Sequence, residues 1–348
     1  MVNVIRHQIS LRQMDMFKIP PHLNATVPAE YRLTHRSQVS LMLLNKETGQ
    51  LSDHLLTELP QLLSKNDLLI FNSSRTIPAS ILSVDQNVEI RLARKIDERK
   101  WEAILLDSEE RVLSVERLDL PEDVNIAVVG SGSEFPLVTI EFQNIHEPLL
   151  SYLYRFGEPI RYEYIDQKWP LDAYQTIFAS SPGSIEMPSA GRAFSWKLMH
   201  SLQKAKIKMG FLELHTGISY YGNHIWPNPI NHPEAYYIPH KTIQLMNQLK
   251  ANNGRLIAVG TTVVRAIESF ALQKTSFMSE CRDTHLYIHS GTTLQMADAI
   301  ITGLHEPEAS HLDMLKAFTK SEYLNKSYDH ALKKGYLWHE FGDIQLIL

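Results

Sequence analysis

The chain has 348 residues, of which 44% are hydrophobic and 21% charged, with a formal net charge of −5. That length exceeds one small domain and suits two of about 100 to 200 residues, and the composition is that of a globular protein able to bury a core. The negative balance excludes nucleic-acid binding by bulk charge, and the single cysteine, Cys281, excludes an internal disulfide framework or a thiolate zinc cluster.

In chain order, MVNVIRHQISLRQMDMF breaks its apolar residues with charge every few positions. It has neither a signal peptide's apolar centre nor a spanning run, so no membrane partner is implied and a cytoplasmic enzyme is expected. A short Pro-rich lead (IPPHL) precedes a strand at 39–44, a turn at Glu47-Thr-Gly and a helix ending near Leu63. From about 67 to 150 the runs LLIFN, VEIRLAR, KWEAILL, NIAVV and LVTIEF have the spacing of a small antiparallel barrel or sandwich. Within them IRLARKIDERK clusters Arg91, Arg94, Lys95, Arg99 and Lys100, which reads either as a basic stripe for phosphates or as a solvated edge strand with its hairpin loop.

From 151 onward helical and strand patterns alternate: the helix SWKLMHSLQKA, the strand IKMGFLEL, the helix KTIQLMNQLKANNG closed by Gly254, a strand and helix from 255 to 273, the strand HLYIH and a last helix around LKAF. Alternation of this kind argues a mostly parallel sheet covered by helices. The expected fold is therefore α/β. A mostly parallel sheet with flanking helices, built from 1–66 and 151–348, is interrupted by an inserted small antiparallel β-barrel domain at 67–150.

The stretch RLIAVGTTVVRAIESFALQ changes period across Gly-Thr-Thr. Leu256 to Val259 form a continuous apolar run, whereas Val263, Ile267 and Phe270 recur at helical spacing. Thr261 or Thr262 is placed to cap the helix, and its free N–H groups, its dipole and Arg265 would suit a carboxylate or phosphate. The alternative is that Thr262 merely caps and Arg265 lies on a solvated face, paired with Glu268. Sixteen histidines show no HExxH, and His232-Pro-Glu234 and His285/His289 are isolated pairs, so no metal is implied.

Several segments, in order along the chain, resemble one family. They are NDLLIFNSSRTIPAS, KWEAIL, RFGEPIRYEYI, AYQTIFASSPGSIEMPSAGRAF, FLELHTG, NHPEAYYIP, GRLIAVGTTVVRAIES, ADAIITGLHEPEASHLDMLKAF and HEFGDIQLIL. The family is the S-adenosylmethionine:tRNA ribosyltransferase-isomerases of queuosine biosynthesis. The resemblance implies an α/β domain with an inserted β-barrel and, as substrates, S-adenosylmethionine and tRNA, with no metal. S-adenosylmethionine would donate its ribosyl part to the aminomethyl group of 7-aminomethyl-7-deazaguanine in tRNA, releasing adenine and methionine and forming epoxyqueuosine. A sulfonium acidifies its neighbouring C5′ protons, so a positioned base suffices to generate a carbon nucleophile.

Carried onto this sequence, the resemblance makes Thr261, Thr262 and Arg265 holders of an anionic part of the ligand. His215 of LHTG, Glu234 of NHPEAYY and His305 of LHEP become candidate catalytic groups. Tyr236, Asn72 and Arg75 of FNSSRTIPA, and Ser189 and Gly191 of MPSAGRAF, become ligand contacts. The residues alone leave the alternative that His215 and His305 are hydrogen-bonded packing residues and that the Asn72/Arg75 turn is structural.

The sequence also departs from the family's words. APTAGLHF reads MPSAGRAF, placing Arg192 and Ala193 where Leu and His are expected, and FNDTR reads FNSSR, with Ser73 in place of Asp. LHVGAGTF reads LHTGISYY, with Ile218 and Ser219 at small-residue positions. Acidic Asp107, Glu109 and Glu110 stand in place of the basic run RPSKK, and Glu308 replaces a Lys. Three expectations follow: the family reaction on tRNA, an S-adenosylmethionine enzyme with a small-molecule acceptor, or a non-catalytic binding protein on the same scaffold.

Overall fold

The computed structural model describes residues 17–348 except 223–224, 229, 252–253, 274–278 and 308–309. At its centre runs the strand Leu68–Asn72, all five residues of which are buried. Leu68 and Ile70 join one apolar cluster while Leu69 and Phe71 join another, as the two-residue period of a strand requires when both faces are covered. The first cluster is closed by residues of the helices His240–Ala251, Thr261–Leu272 and Ser321–Lys334, the second by those of the helix Trp196–Lys204. Phe71 anchors the second, with the rings of Phe178, Phe194 and Phe211 at 5.1, 5.0 and 5.5 Å.

Nine strands make this sheet, in the order Cys281–Thr284, Glu234–Tyr237, Lys208–Leu214, Leu68–Asn72, Leu256–Val259, Ala299–Gly303, Ile344–Ile347, Ser40–Leu44 and Leu51–Leu55. Four of its eight neighbouring pairs are parallel and four antiparallel. The sheet is therefore mixed, not mostly parallel. Alternation of helices and strands finds two of the four central parallel strands, Lys208–Leu214 and Leu256–Val259, but it is blind to Ala299–Gly303 and to Ile344–Ile347, which enters antiparallel to it. It is equally blind to the antiparallel pair added beyond Lys208–Leu214.

Three assignments change with this order. LLIFN, grouped by sequence with the antiparallel runs, is the central strand of the large sheet, and its unbroken apolarity is the mark of a strand covered on both sides. HLYIH lies outside any strand, because the paired segment is Cys281–Thr284 just before it. LKAF is not the last helix: a helix ends at Leu315, and the last one is Ser321–Lys334, stopped by Gly335 at φ +75°.

A separate antiparallel sheet runs in the order Ser80–Leu82, Val88–Lys95, Lys100–Asp107, Val138–Gln143, Asn125–Ser131 and Arg117–Asp119. Its two outer strands are linked just past Leu82 by one backbone bond, Val84 N–H to the Asp119 carbonyl at 2.9 Å. It has its own core around Ile90, Leu92, Ala103, Ile126 and Phe142, closed by Tyr152 and Leu153 of the helix Leu149–Phe156. Val88–Lys95 is an interior strand of this sheet, not an edge.

Glu268, on the helix Thr261–Leu272, is 3% exposed and accepts the backbone N–H groups of Gln295, Met296 and Ala297 at 2.7, 2.8 and 2.8 Å. It pins the segment that leads into Ala299–Gly303. Glu268→Ala takes the acceptor from three backbone donors, that of Ala297 buried, and is expected to cost about 3 kcal/mol, read as a lowered urea midpoint. A midpoint unchanged from the parent protein would show that these bonds are replaced by water at no cost.

Candidate active site

The four parallel neighbours end together at one edge of the large sheet, where open α/β sheets bind their ligands. Directly after these strands the chain places His215, Ser73, the Gly260–Thr262 turn and His305. A cleft of about 530 Å³ opens there, walled on its other side by Ala93, Arg94 and Trp101 of the antiparallel sheet. Its volume is that of a small-molecule site.

Gly260 carries φ +102° at the cap position of the helix Thr261–Leu272, and no side chain caps that helix. The expectation that Thr261 or Thr262 caps it fails because a conformation suited to glycine occupies the cap and the Thr262 hydroxyl turns elsewhere. It receives the Asn72 side-chain amide at 3.2 Å. Thr261, Thr262 and Arg265 all line the cleft.

Arg265 is not paired with Glu268. It donates to the Glu234 carboxylate, to the Leu286 carbonyl at 3.1 Å and to the Thr284 carbonyl at 3.4 Å. Glu234 also receives the Gly217 N–H at 3.0 Å. The pair is only 14% exposed on each side, so a buried carboxylate orients the guanidinium in the wall.

His215 and His305 line the same cleft. Burial holds the His215 imidazole below its ordinary pKa against the opposing charge of Glu213, and its Nδ1 is buried with no hydrogen-bond partner. The lowered pKa favours the neutral imidazole, the form a general base requires. Gly183 leaves room for it: a Cβ there would lie 2.8 Å from Nδ1. Burial, then the neighbouring His311 and His339, push His305 well below the usual histidine range. Its Nε2 bonds the Thr302 hydroxyl at 2.7 Å, and its ring stacks on His311 at 4.5 Å.

Ser189 also faces the cleft. Four other sequence-chosen residues, Asn72, Arg75, Tyr236 and Gly191, are not among the lining residues. Asn72 is clamped to the Leu214 backbone, donating to its carbonyl at 2.8 Å and accepting its N–H at 3.1 Å, and reaches the site only through Thr262. Arg75 sits on the short strand Ser74–Thr76, opposite Pro182. Tyr236 is 2% exposed inside the first apolar cluster. Gly191 permits the close approach of Phe178, whose Cζ would lie 3.0 Å from a Cβ. Among the described residues no group of three or more His, Cys, Asp or Glu is placed to hold a metal, and no helix is long and apolar enough to cross a membrane.

The chain matches the family described as queuosine biosynthesis protein over residues 13–347. It belongs to that family. An S-adenosylmethionine:tRNA ribosyltransferase-isomerase of Thermus thermophilus is 31% identical over 339 residues, 94% of this chain and 97% of the relative. That of Thermotoga maritima is 28% identical over 346 residues, 95% and 98% of the two chains. In fold, the chain is similar to the crystal structure of the S-adenosylmethionine tRNA ribosyltransferase from Thermotoga maritima, with a TM-score of 0.54 and 23% identity over 96% of this chain and 99% of that one.

The departures from the family's words acquire local explanations. Arg192 points away from the cleft: its guanidinium makes two 2.9 Å bonds to the Glu30 carboxylate and one of 2.7 Å to the Ala173 carbonyl, over the Phe341 ring. Ser73 turns its hydroxyl to the Leu212 carbonyl at 3.0 Å. Ile218 fills the core of the antiparallel sheet. The acidic run is partly paired in place, with Asp107 and Glu109 sharing Arg111 at 2.7 and 2.9 Å and Glu110, at 3.3 Å, sharing Arg91 with Glu89. Glu308 lies outside the described residues. Of the basic cluster, Arg91 is buried and Arg94 pairs with Glu102 at 2.8 Å, while Arg94 and Lys95 line the cleft.

Glu186, in the GSIEMPS segment, also lines the cleft, and sequence reasoning did not single it out. It accepts the Tyr162 hydroxyl and the Ser219 N–H, the latter at 2.7 Å. Burial raises its pKa to about 7 against these hydrogen bonds. One glutamate in a loop carries no sequence signal of burial; a family-like segment holds it, but nothing separates it there from its neighbours.

Proposed function

We propose that this protein transfers the ribosyl part of S-adenosylmethionine to the 7-aminomethyl-7-deazaguanine base of tRNA and isomerises it to epoxyqueuosine, releasing adenine and methionine. The observation that carries this reading is the meeting, in one cleft, of a neutral imidazole with an unpaired nitrogen, His215, and the turn from Gly260 to Arg265. The turn and Arg265 suit the methionine carboxylate. His215 suits abstraction of a C5′ proton, which the adjacent sulfonium acidifies. Glu234 fixes Arg265 and so acts by positioning, and His305, tied to Thr302, lines the same cleft.

The full-length likeness to relatives named as tRNA ribosyltransferase-isomerases supports tRNA as partner. The test is adenine release from S-adenosylmethionine, followed by chromatography, with and without tRNA carrying the modified base. Release that requires the modified tRNA is the expected result. Release without tRNA would replace the proposal by a small-molecule acceptor, and no release under either condition would replace it by a binding role.

A further inference from the structure

A second cavity of about 500 Å³ adjoins the cleft, and Glu186, Met187, Ser189, Ser219 and His305 face both. Aromatic rings dominate its walls. Tyr164 stacks on His339 at 3.9 Å and 12°, Tyr220 lies 4.7 Å from Trp226, and Tyr162 meets Tyr220 at 5.7 Å. Its charged lining is mostly acidic, with Glu163, Glu186, Glu306 and Glu340 against one lysine, Lys18. Two of these carboxylates are held by phenols: Tyr162 donates to Glu186, and Tyr164 donates to Glu340 at 2.5 Å. Glu306 is held by His339 at 2.7 Å. Glu340 keeps its other oxygen, Oε2, buried without a hydrogen-bond partner.

Such walls fit a planar ring that carries hydrogen-bond donors and a positive charge, and they repel an anion. An unpartnered buried carboxylate oxygen calls for an N–H donor, and aromatic walls stack on any base. We propose that this second cavity binds the acceptor as a flipped-out, aminomethylated purine-like base, with its donor edge on Glu340 and its ammonium on Glu186. This rests on the ribosyl-transfer reading for the identity of the base. At the shared wall, the Glu186 carboxylate takes one proton from the ammonium nitrogen. A neutral amine, its lone pair directed at the donor's cleft, and a neutral carboxylic acid result, so charge and protons balance. The groups facing Glu186 are the Tyr162 phenol, the Ser219 N–H and the more distant Glu340. None of them is a cation that would lock Glu186 in its ionised form.

The experiment is calorimetric titration of the full chain with free 7-aminomethyl-7-deazaguanine and, separately, with S-adenosylmethionine, for the parent protein and for Tyr220→Leu and Glu340→Gln. Both substitutions lie in the second cavity and outside the lining of the first. Each is expected to weaken binding of the base about tenfold while leaving S-adenosylmethionine affinity within about twofold. Base affinity unchanged in both variants, simple competition between the two ligands, or no binding of the base by the parent protein would overturn the assignment. Base binding that behaves as expected while modified tRNA elicits no adenine release would overturn the ribosyl-transfer reading and leave the cavity assignment standing.

Discussion

Replacing Arg265 by alanine is expected to reduce kcat/KM for adenine release by about a hundredfold or more and to weaken S-adenosylmethionine binding, because it removes a guanidinium that lines the cleft one turn into the helix. It also strands the Glu234 carboxylate in a largely dry wall and frees the carbonyls of Thr284 and Leu286. Breaking a buried pair from one side typically costs about 3 to 5 kcal/mol, so stability falls as well. The two effects separate in the double variant Arg265→Ala with Glu234→Gln. Removing the orphaned charge should restore much of the thermal midpoint but not the ligand affinity. If it restores both, or if the single variant binds S-adenosylmethionine as the parent does, Arg265 serves only to partner Glu234 and the anion-cradle reading is wrong.

Relative to a Glu186→Gln variant, the parent protein should lose stability as pH rises from about 4 to 8. Glu186 has its pKa raised by burial to about 7. A carboxyl whose folded-state value lies above its unfolded value favours folding while it is protonated. Its contribution is complete below the unfolded value of about 4.3 and is lost as pH climbs through 7. The shift corresponds to roughly 3 kcal/mol. Glu340, also raised by burial, acts in the same direction, whereas the histidines lowered by burial, His215, His305 and His311, act in the opposite one, so the difference between the two proteins, not the slope of either, reports Glu186. At pH 8 the variant is expected to be more stable than the parent, and at pH 4 the two should be nearly equal. Urea unfolding at both pH values measures this; identical slopes for the two proteins would mean that Glu186 is not the titrating group. A proton acceptor kept at a cost to stability is a usual compromise at a functional site.

How much of the molecule is legible in its sequence depends on the range of the interactions involved. The run Leu256–Val259 and the helical spacing of Val263, Ile267 and Phe270 point correctly to strand, turn and helix, because each is a local pattern repeated over several residues. The cap is misassigned because propensity favours threonine, whereas the chain uses a positive φ at Gly260 and spends the Thr262 hydroxyl on Asn72. Arg265 admits two readings from sequence, and its observed partner, Glu234, is in neither. Glu234 is 31 positions away and reaches Arg265 only because Glu234–Tyr237 joins the sheet antiparallel to Lys208–Leu214. Arg192, which stands where the family's word has Leu, is a buried anchor for Glu30, 162 positions distant.

By itself, the sequence determined the family, two strands of the parallel centre with their helices, the antiparallel runs from Val88 to Phe142, and the short words that come together at the cleft. These rest on composition, period and local order, which are properties of neighbouring residues. Only the tertiary structure decided that the large sheet is mixed and that His215, His305 and the Gly260 turn meet at one edge. It likewise brought out that Asn72 and Tyr236 stand behind the site and that Glu186 divides two cavities. Those outcomes depend on strand order and on burial, and a buried charge takes its proton affinity from groups that the chain brings near only when it folds.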